Sequence, residues 1–388
     1  MTTSVSLPIN FVTMRSFSLS RICLSLSILV ASSGLLVAQS EMVCDPVGFN
    51  KIPCPTNSDT IVGVPLRAKG SQKATLSALP DTTTLPGSAI LSVAGSPGWT
   101  AGAYAGTHFV KFTSGALDGS FYAVTANTAD TLTIDLNGDN VGAVVATDTL
   151  LLAQYWTLNT LFPPADATTE PATTKIAIVA SINTYTTGRR TELLLPDLVS
   201  SGTNLAPTQT FYIYSGVWRK QGDAVNDYGS TRIQPDSYFI VRHTSKVTAS
   251  TTYLCLGEVE MGNFAIPLST QSTTGLNTRQ DNFVAVPRPI NVTLSQLGLV
   301  PGAFVASTSP YTPGRKDELL VFNNASQAFN KSASATYYYF NNAWRKQGAS
   351  FTLDFGTDVI PAGAGFLVRK APTVGGVTSF WVNPATYP

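Results

Sequence analysis

The sequence contains few charged residues, few histidines and few cysteines. Charged residues make up 12% of the 388 residues, and 24 Lys and Arg balance 23 Asp and Glu. Such a near-neutral chain lacks the excess of positive charge that binds DNA or RNA, so we expect no nucleic-acid partner. Two His in the whole chain cannot supply a histidine-based site. The hydrophobic share of 44% excludes a disordered chain.

The motifs of common catalytic sites are missing as well. The sequence has no G-x-S-x-G nucleophile elbow, no phosphate-binding G-x-x-x-x-G-K-[ST] and no zinc-binding H-E-x-x-H. The Cys residues are scattered and lack the spacing of metal ligands. The sequence therefore predicts no catalytic residue, no metal site and no cofactor.

The first forty residues have the pattern of a secretory signal peptide. They contain no Asp or Glu, and their charged residues are Arg15 and Arg21. An apolar run follows over 22–38, and the small residues Ala38 and Ser40 suit a cleavage site directly after Ser40. A membrane anchor is the alternative, but the run is shorter than the roughly 20 residues that span a bilayer.

Cleavage before Glu41 predicts an extracytoplasmic protein, which is secreted, periplasmic or attached to the cell surface. No later stretch reaches about 18 apolar residues, so we expect no transmembrane span after cleavage. Export permits disulfides. Cys44 and Cys54 either close a small loop or stay as free thiols, and translation begins at Met1 or at Met14.

The remainder of the chain has the pattern of a β protein. Short runs rich in Thr, Val, Tyr, Phe and Ile alternate with turns rich in Gly, Pro, Asn and Asp, and helical periodicity is nearly absent. This spacing predicts an all-β fold of sandwiches or barrels. The clearest predicted strands are 120–126, 131–135, 209–214, 238–242 and 335–340.

An internal repeat is the strongest signal in the sequence. GRRTELLL at 188–195 matches GRKDELLV at 314–321, and WRKQG occurs at both 218–222 and 344–348. Both matches have the same offset, 126 residues, since 188 pairs with 314 and 218 with 344. Repeats of this kind indicate duplicated structural units.

The first copy of the repeat is interrupted. DTIVGVP at 59–65 matches DNFVAVP at 281–287, and TLSQL at 293–297 follows the second of these motifs closely. Its counterpart TLNTL, at 157–161, follows the first motif only after a long insertion. We therefore predict two tandem β-sandwich or barrel-like repeat units, the first interrupted by a small SH3-like β-barrel.

The predicted organisation has four parts. They are a signal peptide at 1–40, a first β unit at 41–66 plus 155–260, an insert at 67–154 and a second β unit at 261–388. The insert carries five predicted strands: 89–93, 108–113, 120–126, 131–135 and 141–152.

Several of these motifs together resemble a known family. They are DPVGF at 45–49, DTIVGVP at 59–65, NTADTL at 127–132, WTLNTL at 156–161 and the two WRKQG pentads. The chain resembles secreted proteins of unknown activity that are frequent in the verrucomicrobial branch of bacteria, often as several paralogues. The resemblance covers essentially the whole mature chain. It implies an exported bacterial protein and no particular catalytic residue.

One group of side chains recurs in both units and is the first candidate site. An Arg, a carboxylate and a Trp could bind a sugar by hydrogen bonds and ring stacking. Alternatively the group is structural, with each Trp closing a hairpin over its sheet after the turn residues SG or NN. The group comprises Arg189, Glu192 and Trp218 in the first unit and Arg315, Glu318 and Trp344 in the second.

Two further candidates involve carboxylates. Asp135, Asn137 and Asp139 have the first ligand positions of a calcium loop, but the Gly and Glu that complete an EF-hand are absent, so a tight turn is favoured. Glu258 and Glu260 lie two residues apart and could act on a glycosidic bond. An exposed strand face is the favoured interpretation of that pair.

The predicted function is that of an exported, non-enzymatic β-rich protein with a structural, adhesive or cell-envelope role. This interpretation expects buried tryptophans in the two pentads and no deep polar cleft. The alternative is an extracellular carbohydrate-binding protein, which would expose aromatic rings such as Trp99, Tyr104 and Trp156. A polysaccharide-acting enzyme is less favoured and would need two facing acids in a groove. Polysaccharide and other envelope proteins are the predicted partners.

Overall fold

The computed structural model describes residues 46–167, 177–274, 278–384 and 387. The predicted signal peptide, its cleavage site and Cys44 lie outside these residues. Within them the fold is all-β, as predicted, with one four-residue helix, α1 (Leu158–Leu161), and a few 3-10 turns. None of the helices described is long and apolar enough to cross a membrane.

Twenty-four strands form the described part of the chain. We refer to residues 46–66 and 155–260 as the first unit, 67–154 as the insert and 261–384 as the second unit. In chain order the strands are β1 (Val47–Cys54), β2 (Ser58–Val62), β3 (Gln72–Thr75), β4 (Ser88–Ser92), β5 (His108–Phe112), β6 (Phe121–Asn127), β7 (Thr131–Asp135), β8 (Thr149–Gln154), β9 (Trp156–Thr157), β10 (Thr191–Leu195), β11 (Gln209–Tyr214), β12 (Val217–Lys220), β13 (Arg232–Ile233), β14 (Phe239–His243), β15 (Thr251–Glu258), β16 (Phe264–Ser269), β17 (Gln280–Ala285), β18 (Val292–Thr293), β19 (Glu318–Val321), β20 (Ala335–Phe340), β21 (Ala343–Lys346), β22 (Val359–Ile360), β23 (Gly365–Lys370) and β24 (Thr378–Asn383).

The strand pairings of the first and second units correspond one to one. A five-stranded antiparallel sheet has the order β12-β11-β10-β14-β2 in the first unit and β21-β20-β19-β23-β17 in the second. The pair β1·β15 corresponds to β16·β24, and β9·β13 corresponds to β18·β22. Each unit buries its own apolar core, built around Trp218 in the first and Trp344 in the second. The domain boundaries given above remain predictions.

The insert forms a curled six-stranded sheet in the order β3-β8-β5-β6-β7-β4. The amide of Ala94 donates to the carbonyl of Thr75 at 2.8 Å, which joins the two outer strands where they end. A separate apolar core, with Phe112 and Leu132 fully buried, fills the interior. The SH3-like class of the insert remains a prediction.

Two expectations for the strands of the insert were wrong. β3 was not predicted, because its sequence QKAT is polar and largely exposed. The predicted strand 141–152 begins only at Thr149. Turns occupy 141–148, where Thr147 has a left-handed φ of 85° and the Asp148 carboxylate accepts from the Val145 amide at 3.0 Å.

The two units meet back to back along β2 and β17, in a pseudo-twofold arrangement. The Gly63 amide donates to the Gly363 carbonyl at 2.9 Å, and the equivalent Ala285 amide donates to the Asp236 carbonyl at 3.1 Å. A Cβ atom on Gly63 would lie 2.1 Å from the Cβ of Ala285. Only one of these two equivalent positions can therefore carry a side chain.

Each unit extends a loop that caps an ion pair of the other. In the first pair, Arg242 of β14 binds the Asp59 carboxylate with two hydrogen bonds of 2.7 Å. Asn330, from the second unit, donates its amide to Asp59 and accepts from Arg242, both at 2.7 Å. Bidentate charged pairs of this type fix geometry as well as supplying energy.

The reciprocal pair shows the same contacts with the units exchanged. Arg369 of β23 binds Asp281 at 2.6 and 2.9 Å. Asn204, from the first unit, donates its amide to Asp281 at 2.7 Å and accepts from Arg369 at 2.9 Å. Asn204 and Asn330 are themselves 126 residues apart in sequence, so the interface repeats with the fold.

Buried charges join the insert to the first unit. Lys111 of β5 lies 2.5 Å from Glu260, and Arg67 lies 3.7 Å from Glu258. The expectation that Glu258 and Glu260 form an exposed strand face was wrong, since both are buried. Their partners come from distant parts of the sequence, and the pairing offsets the cost of burying the charges.

His243 gives the stability of the first unit a pH dependence. The ring is fully buried, with Nδ1 3.0 Å from Thr191 Oγ1 and Nε2 2.8 Å from Thr251 Oγ1. Burial lowers the pKa of His243 from its ordinary value of 6.5 to about 4. The unfolded chain therefore binds the proton more tightly than the folded one. The contribution of His243 to stability is complete above about pH 6.5 and is lost as the pH falls towards 4.

We expect this residue alone to lower the free energy of unfolding by roughly 3 kcal/mol between about pH 6.5 and 4. Denaturant titrations of the wild type and of His243→Gln across that range isolate the effect, because the variant lacks the titrating ring. Parallel pH profiles for the two proteins would contradict the assignment.

Candidate functional site

In the first unit, the repeated Arg and Glu hold a turn against the sheet. The Arg189 guanidinium lies 3.3 Å from the Glu192 carboxylate and donates to the Gln221 side chain at 3.1 Å. It also donates to the Thr184 carbonyl at 3.3 Å and stacks on the Tyr212 ring at 4.6 Å. Both charged side chains are buried and make their contacts within the protein.

In the second unit, the same contacts recur at equivalent positions. Arg315 lies 3.8 Å from Glu318, donates to Gln347 at 3.1 Å and stacks on Tyr338 at 4.4 Å. Arg279 adds a second ion pair to Glu318, at 2.9 Å. A group that is reproduced with all its partners in both copies is one that the shared fold requires.

The tryptophans of the group lie on the opposite face of the sheet from the arginines. Trp218 is paired across the strands with Ile213, whereas Arg189 stacks on Tyr212, the preceding residue. Neighbouring residues of a strand point to opposite faces. Trp218 is fully buried and Trp344 nearly so. The Arg, the Glu and the Trp therefore do not form a joint sugar site in either unit.

The aromatic residues expected around the insert do not form an exposed platform. Trp99 is buried, and its ring meets Tyr104 edge to face at 85° rather than coplanar. Trp156 is partly buried and donates its indole N–H to the Leu66 carbonyl at 2.8 Å. The carbohydrate-binding alternative expected exposed rings at these three positions, and that expectation was wrong.

The candidate calcium loop is a turn. Asn137 and Gly138 have left-handed φ angles of 49° and 85°, as a tight Asn-Gly turn requires. The Asp135 carboxylate accepts from the Asn137 amide at 3.0 Å. Among the residues that the structure describes, no three His, Cys, Asp or Glu side chains are grouped to hold a metal ion.

A large concave feature lies where the insert meets both units. It is a groove of about 560 Å³, lined by the β6 strand and the 135–139 turn of the insert, by 197–199 and 234–237 of the first unit, and by β16 and β17 of the second. We call it the junction groove. The structural interpretation expected no such polar cleft, and that expectation was wrong.

A second concavity of about 530 Å³ adjoins the junction groove. The two share the residues 197–199, Gln234 and Ser237 as a common wall. The two concavities therefore lie next to each other along one short loop. Two adjoining concavities suit a chain-like ligand.

The walls of the junction groove combine aromatic rings with hydrogen-bonding side chains. Phe380 is 39% exposed, and Phe283 and Phe121 contribute less exposed rings. Carboxylates, amides and hydroxyls lie between them, among them Asp236 and Asn282. Apolar walls with a few polar groups are typical of ligand sites in proteins.

Asp236 lies in the groove at a position where the fold shared by the two units does not require a carboxylate. Its position in the second unit is occupied by Gly363, although the backbone hydrogen bonds at the two positions correspond. No hydrogen bond or ion pair to another residue is found for the Asp236 carboxylate within the described residues. Partial burial raises its pKa to about 6, although a hydrogen bond from its own backbone amide acts in the opposite direction. By contrast Asp197 corresponds to Asn323, and both side chains cap a turn.

Sequence reasoning did not find the groove, because its walls come from segments far apart in the chain. One signal was nevertheless present. When the two copies of the repeat are aligned, a carboxylate in one copy pairs with a glycine in the other, so the shared fold does not require that carboxylate.

The chain matches no protein-family model, no curated protein and no solved structure.

Proposed function

We propose that this is an exported, non-enzymatic protein with an adhesive or cell-envelope role, which binds a polysaccharide in the junction groove. The observation that carries the proposal is the pair of adjoining concavities with a shared wall. A single sugar would fill only part of it, whereas consecutive sugar units of a polymer could occupy both concavities.

The chemistry of the lining supports a sugar ligand. A pyranose ring presents C–H faces to aromatic side chains and hydroxyl groups to acceptors at its edge. Phe380 offers an accessible ring, and Asp236 and Gln234 offer acceptors. The Arg, Glu and Trp groups of the two units lie outside the lining of the groove, in keeping with a structural role.

We expect the purified protein to bind at least one polysaccharide of a glycan panel, and Phe380→Ala to weaken that binding about tenfold. Removing an aromatic contact of this kind costs roughly 1–1.5 kcal/mol. Phe351→Ala is the matched control, because Phe351 is 46% exposed in the same unit and does not line the groove. Affinity is measured by calorimetry on soluble fragments of the bound polymer.

Two results would count against the proposal. Equal losses for Phe380→Ala and Phe351→Ala would place the binding site elsewhere. Release of reducing ends from the bound polymer, abolished in Asp236→Asn, would show a hydrolase instead of a binding protein.

A further inference from the structure

The junction groove is strongly acidic. Five aspartates line it, and no Lys or Arg is among its lining residues. Asp281 is matched by Arg369. The other four carboxylates have no ion pair with a Lys or Arg in the part of the chain that the structure describes: Asp135, Asp139, Asp197 and Asp236.

Three of these four carboxylates accept hydrogen bonds from neutral donors. Asp197 accepts from the Val199 and Ser200 amides at 3.0 Å, and the Ser200 hydroxyl holds its pKa below the ordinary value. Asp139 accepts from the Tyr122 hydroxyl at 3.0 Å, and Asp135 accepts from a backbone amide. Neutral donors stabilise the ionised form of an acid and leave its charge uncancelled.

The surroundings of Asp236 add no compensating charge inside the groove. The insert contributes Asp135 and Asp139, and the 197–199 turn contributes Asp197. Tyr155 lies beside Asp236, and the Arg232 guanidinium stacks on the Tyr155 ring at 5.2 Å. Arg232 lines the neighbouring concavity and is the one guanidinium at this boundary.

We propose that the ligand of the junction groove is a polysaccharide whose sugar units carry free amines. This inference rests on the proposed function and adds the chemical class of the ligand. Ammonium groups on successive units would meet the carboxylates of the two walls, while the C–H faces of the rings would pack on the aromatic side chains. A neutral glycan would leave the carboxylates without a countercharge, and an anionic glycan would be repelled.

The test compares two oligomers of equal length and identical ring skeleton, glucosamine and N-acetylglucosamine, at about pH 6.5. We expect the glucosamine oligomer to bind at least about tenfold more tightly, because only its amines are charged. Raising the salt concentration should weaken the binding of that oligomer and leave the other unchanged.

The pH profile and a matched pair of variants provide the second arm. Affinity for the glucosamine oligomer should fall below about pH 6, where Asp236 takes up a proton. It should also fall above about pH 7.7, where an amine as acidic as an α-amino group loses its proton. Asp236→Asn should lower the affinity about fivefold and remove the decline on the acid side. Asp130→Asn, an exposed carboxylate of the insert outside the groove, should change neither.

The outcomes separate this inference from the proposed function. Equal binding of the two oligomers, or binding of a neutral or acidic glycan alone, would overturn the amine assignment and leave polysaccharide binding intact. Binding of a lysine oligomer as tight as that of the glucosamine oligomer would overturn the saccharide class. Failure to bind any glycan would overturn both proposals.

Discussion

Replacing Trp218 by alanine is expected to lower the free energy of unfolding by about 3–5 kcal/mol, the usual cost of removing a large aromatic side chain from a core. Trp218 is fully buried, packs against Phe162, and donates its indole N–H to the Phe162 carbonyl at 3.2 Å. Since the residue lies in the core and not in the groove, the folded fraction of the variant should keep the affinity of the wild type.

Trp218→Phe is the control for this prediction. It keeps an aromatic ring in the core and loses the hydrogen bond, so we expect a smaller loss of about 1–2 kcal/mol. Denaturant unfolding monitored by circular dichroism gives both values. A Trp218→Ala protein of unchanged stability that no longer binds its ligand would contradict the structural role assigned to the WRKQG pentads.

Replacing Lys370 by methionine is expected to cost about 3–5 kcal/mol, because it leaves a buried carboxylate without its cation. Lys370 Nζ lies 2.5 Å from Asp317, and both side chains are almost completely buried. The Asp317 carboxylate also accepts from the Val305 amide at 2.7 Å and the Ala371 amide at 2.8 Å. Lost stability is again measured by denaturant unfolding.

The first unit supplies the matched control for this pair. Its equivalent residues are Thr191 and His243, which contact each other at 3.0 Å, and Thr191 accepts from the Val179 amide at 3.0 Å as Asp317 does from Val305. The double variant Asp317→Thr/Lys370→His should therefore recover more than half of the loss. A double variant no more stable than Lys370→Met would show that the two sites are not interchangeable.

The sequence was sufficient to predict the all-β fold and to reveal the internal repeat. Motifs such as WRKQG and GRxxELL recur because both units need the same contacts, among them Arg189 on Tyr212 and Arg315 on Tyr338. The strands predicted from alternating or continuous apolar residues lie close to the bounds that the structure gives. β3 was not predicted, because it is a polar edge strand and lacks the pattern of apolar residues.

Features that depend on distant segments could not be predicted. The sequence around Glu260 favours an exposed strand residue. In the structure Lys111, which is far away in the sequence, lies beside Glu260 and forms an ion pair with it. The reciprocal caps by Asn204 and Asn330 depend on how the units meet. The walls of the junction groove come from parts of the chain that lie far apart in sequence.

The most direct test of the account is to map the bound ligand by hydrogen–deuterium exchange. The protein is compared with and without a saturating oligomer of the polysaccharide that it binds. The account expects slower exchange at the amides of the junction groove, in the 135–139 turn, the 197–199 turn and β24, with the two WRKQG hairpins unchanged. Protection confined to the hairpins around Trp218 and Trp344, with the groove unaffected, would contradict it.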